Sequence, residues 1–305
     1  MNTRSTARPC LLRTHLALIA IVLAAPISRA QPAGGPPQGW SQRVNVGAVY
    51  QADADLDQGG SFSVARFFIG ADFLRPLDAE TAIGFSLGAG FDAYSFDEIA
   101  APWEDVTRLD ASFTYSRKIT AEWAVRITPS IQSSFEDGAS LPDGIVAGII
   151  ASATHTFRED LRLGLGIAAF TGLEETRAFP FLAIDWQISE TWSVRNPFRP
   201  GPAGPAGIEV VRAGDAWEFA FGGAYRSYRF KLAEDFPVPD GIAEHNGVPL
   251  FVRATRKLDQ RWELDLYAGM IMAGRLELED EDGRNAGKSD FDPAPLVALT
   301  LHGRF

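Results

Sequence analysis

The apolar positions of this chain recur in twos. Trp123, Val125, Ile127 and Ile131 alternate with Arg126, Thr128, Ser130 and Gln132, interrupted only at Pro129. Leu161, Leu163, Leu165 and Ile167 alternate with Arg162, Gly164 and Gly166. Trp262, Leu264, Leu266, Ala268 and Met270 alternate with Glu263, Asp265, Tyr267 and Gly269. A period of two sends successive side chains to opposite faces of a β-strand, so each run predicts a strand with one apolar face and one polar or small face. The same reading predicts fourteen strands, near 43–50, 61–74, 81–94, 105–117, 122–133, 144–157, 161–171, 179–187, 191–196, 207–213, 217–230, 248–257, 262–275 and 294–305.

The connections between these runs alternate in length. Tight turns fall at 77–80, 118–121, 158–160, 188–190, 213–216 and 258–261, while longer polar loops fill 51–60, 95–104, 134–143, 172–178, 197–206, 231–247 and 276–293. No run after residue 30 is apolar for long enough to make a membrane-spanning helix. Backbone groups in lipid are satisfied only by helices or by closed barrels, and barrels have short turns on one side and long loops on the other. The fold class expected is therefore all-β, an antiparallel up-and-down transmembrane β-barrel of fourteen strands, with twelve as the alternative. A soluble two-sheet sandwich would also alternate, burying its apolar face against a second sheet.

Tryptophan placement bears on that choice. Trp123, Trp192, Trp217 and Trp262 each begin the strand that follows a tight turn, Trp186 closes a strand before another, and Trp40 precedes the first strand. Indole joins an apolar body to one polar N–H, so Trp123, Trp186, Trp192, Trp217 and Trp262 are expected to form a girdle at a membrane interface. The plainer reading is a recurring turn motif that happens to end in Trp.

The N-terminus has Arg4, Arg8 and Arg13, an apolar run from Leu16 to Pro26, then Ser28-Arg29-Ala30. That is the layout of a cleaved signal peptide, which makes residues 1–30 an export signal, 31–42 a Pro- and Gly-rich leader and 43–305 a single barrel domain. Cleavage removes four arginines and no acid, taking the formal net charge from −11 to −15, and removes Cys10, the one cysteine. So acidic a chain is no partner for nucleic acid.

The last residues, from Pro293 to Phe305, place Val297, Leu299, Leu301, Gly303 and Phe305 on one face. This resembles the closing strand of bacterial outer-membrane β-barrels, in which the assembly machinery reads a terminal Phe behind alternating apolar residues. The resemblance implies that Leu299, Leu301 and Phe305 carry the assembly signal. It departs from the pattern at Gly303, where an aromatic is common. Two further stretches, Ile184-Asp-Trp-Gln-Ile-Ser-Glu-Thr-Trp192 and Ser289-Asp-Phe-Asp-Pro-Ala-Pro295, are similar to an uncharacterised family of outer-membrane barrels. The resemblance covers about residues 43–305. It implies a Gram-negative outer-membrane location, with outer-membrane lipids, lipopolysaccharide and the assembly machinery as partners, and it implies no activity or cofactor.

On the inward face the alternation places Arg66, Asp72, Arg108, Asp110, Arg126, Arg162, Asp185, Glu218, Arg226, Arg253, Glu263, Asp265 and Arg304. Both signs occur, so two readings stand: a water-filled conduit, or a lumen closed by paired charges. Inward glycines, among them Gly84, Gly88, Gly164, Gly166 and Gly222, favour open volume. The function expected is a passive channel for small hydrophilic solutes. The alternatives are a structural or adhesive barrel with a blocked lumen and a soluble periplasmic β-rich binding protein. The long loops are acidic, and Asp280 and Asp282 are weak candidates for divalent cations. His155, His245 and His302 belong to no recognisable catalytic constellation, and no phosphate loop or nucleophile elbow occurs, so the chain is not read as an enzyme.

Overall fold

The computed structural model describes residues 39–305 other than 198, 205, 235 and 236. The expected signal peptide, the leader as far as residue 38 and Asp235 of the acidic loops lie outside the described residues. Sixteen strands follow in order: β1 (Ser41–Asp55), β2 (Ser61–Pro76), β3 (Thr81–Asp97), β4 (Val106–Lys118), β5 (Trp123–Glu136), β6 (Ile145–Arg158), β7 (Leu161–Gly172), β8 (Glu175–Gln187), β9 (Trp192–Arg195), β10 (Gly207–Ala213), β11 (Trp217–Ala224), β12 (Arg226–Lys231), β13 (Ile242–Lys257), β14 (Trp262–Glu279), β15 (Asn285–Phe291) and β16 (Ala294–Arg304). Fourteen of them, all but β12 and β15, pair antiparallel into a ring closed by β1 on β16, in register from Arg43↔Arg304 to Gln51↔Leu296. The ring has no second sheet, so its apolar face has nothing of the protein to pack on. Leu165, Phe221, Val252 and Val297 are each more than half exposed on the outer surface. That disposes of the sandwich reading.

Four of the tight turns share one construction. In the turns ending at Trp123, Trp192 and Trp262 the residue three positions earlier, Thr120, Ser189 or Asp259, accepts the Trp backbone N–H at 3.0, 3.2 and 2.8 Å. Asp78 does the same for Thr81 at 2.7 Å. Side-chain oxygens of Ser, Thr and Asp mimic a backbone turn in this way, which fixes the hairpin register. The turn-motif reading of the tryptophans therefore describes the geometry, and their rings still project outward from it: Trp123, Trp192 and Trp217 are exposed.

Three differences from the expected strands matter for the interior. The strand expected over 217–230 is broken at Tyr225. Its second half, β12, stays paired with β13 from Arg226↔Gly247 to Lys231↔Ile242 but leaves β10, and its tip reaches β5 at Lys231↔Phe135 on the far wall. The described residues of the segment expected as a long loop over 197–206, namely 197, 199–204 and 206, do not lie at the long-loop end; they fold into the barrel as a strap. Ala203 is buried there among Val49, Phe251, Tyr267 and Ala298, and Thr300 Oγ1 donates to the Pro200 carbonyl at 3.5 Å. Strand also replaces part of the two loops expected last, since β13 starts at Ile242 and β14 runs on to pair with β15.

Near the long-loop end an apolar cluster of Phe62, Trp103, Val106, Phe230, Leu232, Ile271 and Phe291 fills the barrel beside β1–β4 and β13–β16. Phe62 meets Phe291 edge to face at 5.0 Å between ring centres, and Trp103 meets Phe230 at 5.4 Å. Closer to the short turns the same side of the lumen is filled by charge.

Candidate functional site: the lumen and an opening in its wall

Arg253 and Asp265 anchor the charged packing. Arg253, 1% exposed, contacts Glu209 at 3.0 Å and Glu218 at 2.9 Å and donates to the Thr255 hydroxyl. Asp265, fully buried, accepts from Thr255 Oγ1 at 2.6 Å, His302 Nε2 at 2.8 Å and Arg199 Nη1 at 3.1 Å. Arg199 belongs to the strap and also reaches Glu263 at 3.3 Å; Arg195, at the end of β9, closes the set on Glu209 and Glu218 at 3.0 and 2.7 Å. Buried charges are tolerated when every partner is present, and here three arginines stand among four carboxylates.

Beside this network lies a cavity of about 570 Å³ lined by Arg66, Asp72, Arg108, Asp110, Arg226, Glu263, His302 and Arg304 together with the strap. Asp72 accepts from Ser86 at 2.7 Å. Above it Arg66, buried, contacts Asp92 at 3.3 Å and donates to His245 Nδ1 at 2.8 Å, and Arg108 contacts Asp92 at 2.7 Å. The Tyr228 ring is surrounded by guanidiniums, with the carbons of Arg66, Arg226 and Arg108 at 4.1, 5.1 and 5.4 Å from its centre.

β12 divides the upper lumen. Phe230 and Leu232 join the apolar cluster on one side; on the other is a second cavity of about 590 Å³ bounded by β4–β8, with Val146, Ile150, Phe170, Phe179 and Phe181 on the wall, Ser227 and Arg229 on β12 and Tyr225 at the break before it. The two cavities have Arg108, Arg226 and Tyr228 in common, so this trio forms the narrowing between them.

Beside the upper cavity the barrel wall carries a recess. β9 holds only four residues, paired with β8 at 185–187, and the chain then turns inward at Asn196. Asn196 continues the ladder a little way: its Oδ1 accepts the Ile184 N–H at 2.8 Å and its Nδ2 donates to the Leu182 carbonyl at 2.8 Å. Beyond Leu182 the next residue on this edge is Pro180, which has no N–H to leave unpaired, a usual property of exposed strand edges. With β10 starting at Gly207 and β11 ending at Ala224, the wall is low here. A recess of about 560 Å³ separates Pro180, Phe181 and Leu182 from Ile208, Tyr225 and Leu250. Pro180, Phe181, Ala206 and Tyr225 line both this recess and the upper cavity.

The remaining residues singled out from sequence fall elsewhere. Arg162 and Asp185 face each other at 3.8 Å with both side chains more than half exposed, and Arg126 stands opposite Ser152. Trp186 pairs with Leu161 and Val194 in the wall; Trp262 meets Phe305 edge to face at 5.6 Å. A side chain at Gly303 would start 2.7 Å from the Trp262 ring, so the aromatic absent from that position has its place taken by Trp262. Leu299 is exposed on the same outer face. Asp280 accepts the backbone N–H of Asp282 and Arg284 at 3.0 and 2.8 Å, and Asp282 pairs with Arg284. Among the described residues no group of three His, Cys, Asp or Glu side chains is placed to hold a metal ion.

Sequence reasoning missed Tyr228, Arg195, Glu209 and the strap with Arg199. One signal was there to find: apolar residues occupy odd positions through Trp217, Phe219 and Phe221 but even ones at Tyr228, Phe230 and Leu232. That change of phase marks the inward turn at Tyr225.

No family model matches the chain, and no curated protein matches it. Among solved structures it is similar to an outer-membrane channel from Pseudomonas putida F1, with 10% identity over 91% of this chain and 100% of that one at a TM-score of 0.49. It is similar to the Pseudomonas putida toluene transporter TodX, with 9% identity over 88% of this chain and 90% of that one at 0.40. The translocator domain of the autotransporter NalP from Neisseria meningitidis also matches, with 9% identity over 97% and 95% of the two chains at 0.36. These solved neighbours are bacterial outer-membrane barrels.

Proposed function

We propose that the protein is an outer-membrane barrel through which small solutes pass passively. The observation that carries this reading is the pair of cavities, about 570 and 590 Å³, meeting at Arg108, Arg226 and Tyr228 inside a closed ring of strands. In this reading the short turns face the periplasm and the apolar outer band contacts lipid. Trp123, Trp186, Trp192, Trp217 and Trp262 lie at the inner interface, and the assembly machinery reads the outward strip of Leu299, Leu301 and Phe305. Recordings of the purified protein in planar bilayers are expected to show discrete conductance steps. Their absence in protein shown to be folded by its gel mobility removes the conduit and leaves a structural or adhesive barrel.

The recess beside β8 favours a second reading for apolar solutes, which would leave the upper cavity sideways into the membrane. Ala206 lies between cavity and recess, so Ala206→Trp is expected to slow entry of a small neutral apolar solute into proteoliposomes several-fold while changing ionic conductance little. Equal losses of both would mean that the recess is no separate route.

A further inference from the structure

We propose that the upper cavity binds small monocarboxylates that carry an aromatic or other apolar body, with the carboxylate on Arg226 and Arg108. This rests on the channel reading and names its solute. The charge at the narrowing is unbalanced. Arg66 and Arg108 share the single carboxylate of Asp92 at 3.3 and 2.7 Å, while no carboxylate of the described residues lies within 4 Å of Arg226. Arg226 instead donates through Nε and Nη2 to the Tyr228 hydroxyl at 3.3 and 3.2 Å. A guanidinium held by a neutral hydroxyl at the floor of a cavity is placed to take a carboxylate, whose geometry matches its donors.

The other cations of this cavity are already neutralised. Arg177 contacts Glu175 and Glu244 at 2.5 and 2.6 Å, and Arg229 contacts Glu279 at 2.5 Å. Anion recognition therefore falls to the floor. Opposite the floor stand Ile150, Phe170, Phe179 and Phe181. Phe170 lies over Gly148 and Phe181 over Gly166, where an added Cβ would come within 2.4 and 2.1 Å of the rings. The two rings thus lie down along the wall in space that glycine leaves, presenting apolar surface without filling the cavity. A hydrophilic anion would use the floor alone and a neutral hydrocarbon the wall alone; an amphipathic carboxylate uses both. About 590 Å³ is ample for one such molecule, ligand sites running to roughly 300–1,000 Å³.

The test titrates the purified protein with benzoate, acetate and benzylammonium by calorimetry and applies benzoate to the protein in bilayers. Benzoate is expected to bind at least tenfold more tightly than acetate, with no binding of benzylammonium. Arg226→Gln should weaken benzoate at least tenfold. Phe181→Ala should weaken benzoate several-fold and leave acetate unchanged, and it carries the test if Arg226→Gln does not give a folded barrel. Equal affinities for benzoate and acetate, or benzoate binding untouched by both substitutions, overturn the proposal. Binding without conductance would remove the channel and keep the site; conductance without binding would remove the site and keep the channel.

Discussion

The two sides of the barrel interior are built on opposite terms. Over β13, β14 and β16 and the long-loop ends of β1 and β2, inward side chains are packed tightly: Phe62, Arg253, Asp265 and Thr300 are essentially unexposed, and the lower cavity opens only beside the short-turn ends of β1–β3. Along β6, β7 and β8 no residue is buried at all. The alternation in sequence is the same on both sides. What differs is the material laid over the inward face. On the filled side the apolar cluster and the strap cover it, and β12, anchored on β13, walls it off. Over β6–β8 lies the open space of the upper cavity. A barrel of this size falls between small ones filled by their side chains and large ones that leave a channel, and this one is half of each.

The sharpest way to break that comparison is to delete one carboxylate on each side. Asp265→Ala removes the buried acceptor shared by Thr255, His302 and Arg199, leaving the His302 Nε2 without its carboxylate while Arg253 and Arg199 keep their glutamates, and removing one partner from such a network costs about 3–5 kcal/mol. Asp185→Ala removes a partner of Arg162 from a pair at 3.8 Å that is more than half exposed, and the change should stay within about 0.5 kcal/mol. Urea titrations that follow the folded barrel by gel mobility measure both. Similar losses would show that the two sides are not packed differently.

The contrast also explains what could be read from sequence. Strand positions were legible because alternation is a local property, and ten strands from the first, Ser41–Asp55, to the tenth, Gly207–Ala213, lie where the pattern puts them. The inward charges were legible for the same reason. Their pairing was not, since it joins residues apart in sequence: Arg66 to Asp92 directly opposite it across the long β2–β3 hairpin, Arg199 to Asp265 across 66 positions. The strap was misread because its Pro and Gly content is that of any exposed loop. Only the shortness of the runs read at 191–196 and 207–213, six and seven residues where a crossing takes about 9–11, hints that the chain there does something other than cross.

A milder perturbation loosens the filled side without emptying it. Arg199 is the strap's link to Glu263, Asp265 and Glu218, at 3.3, 3.1 and 3.7 Å. Arg199→Gln leaves Asp265 with Thr255, His302 and Arg253, so stability should fall by about 1.5–3 kcal/mol, the range for hydrogen bonds to charged groups. With the strap less firmly held, single-channel currents should become larger and noisier. Unchanged currents at the reduced stability would mean that the strap packs the wall and has no part in setting the width of the conduit.

The smallest effect concerns the turns. On the filled side the hairpins β2–β3 and β13–β14 are closed by carboxylates, Asp78 and Asp259. On the open side β4–β5 and β8–β9 are closed by hydroxyls, Thr120 and Ser189. Backbone N–H groups of Glu80 and Thr81 hold the Asp78 carboxyl below the usual carboxylate range, and those of Arg261 and Trp262 do the same for Asp259. A carboxyl lowered on folding adds stability that is present above its unfolded value, about pH 3.9, and is lost as pH falls through its lower folded one. Hydroxyl turns have no such titration. Hydrogen-exchange protection of the Thr81 and Trp262 amides should therefore fall on acidification below pH 4 while that of Trp123 and Trp192 holds. Asp259→Asn, whose carbonyl still accepts both N–H groups, should abolish the fall at Trp262 and leave it at Thr81. A parallel loss at all four amides would place the acid response in the barrel as a whole and detach it from the turns.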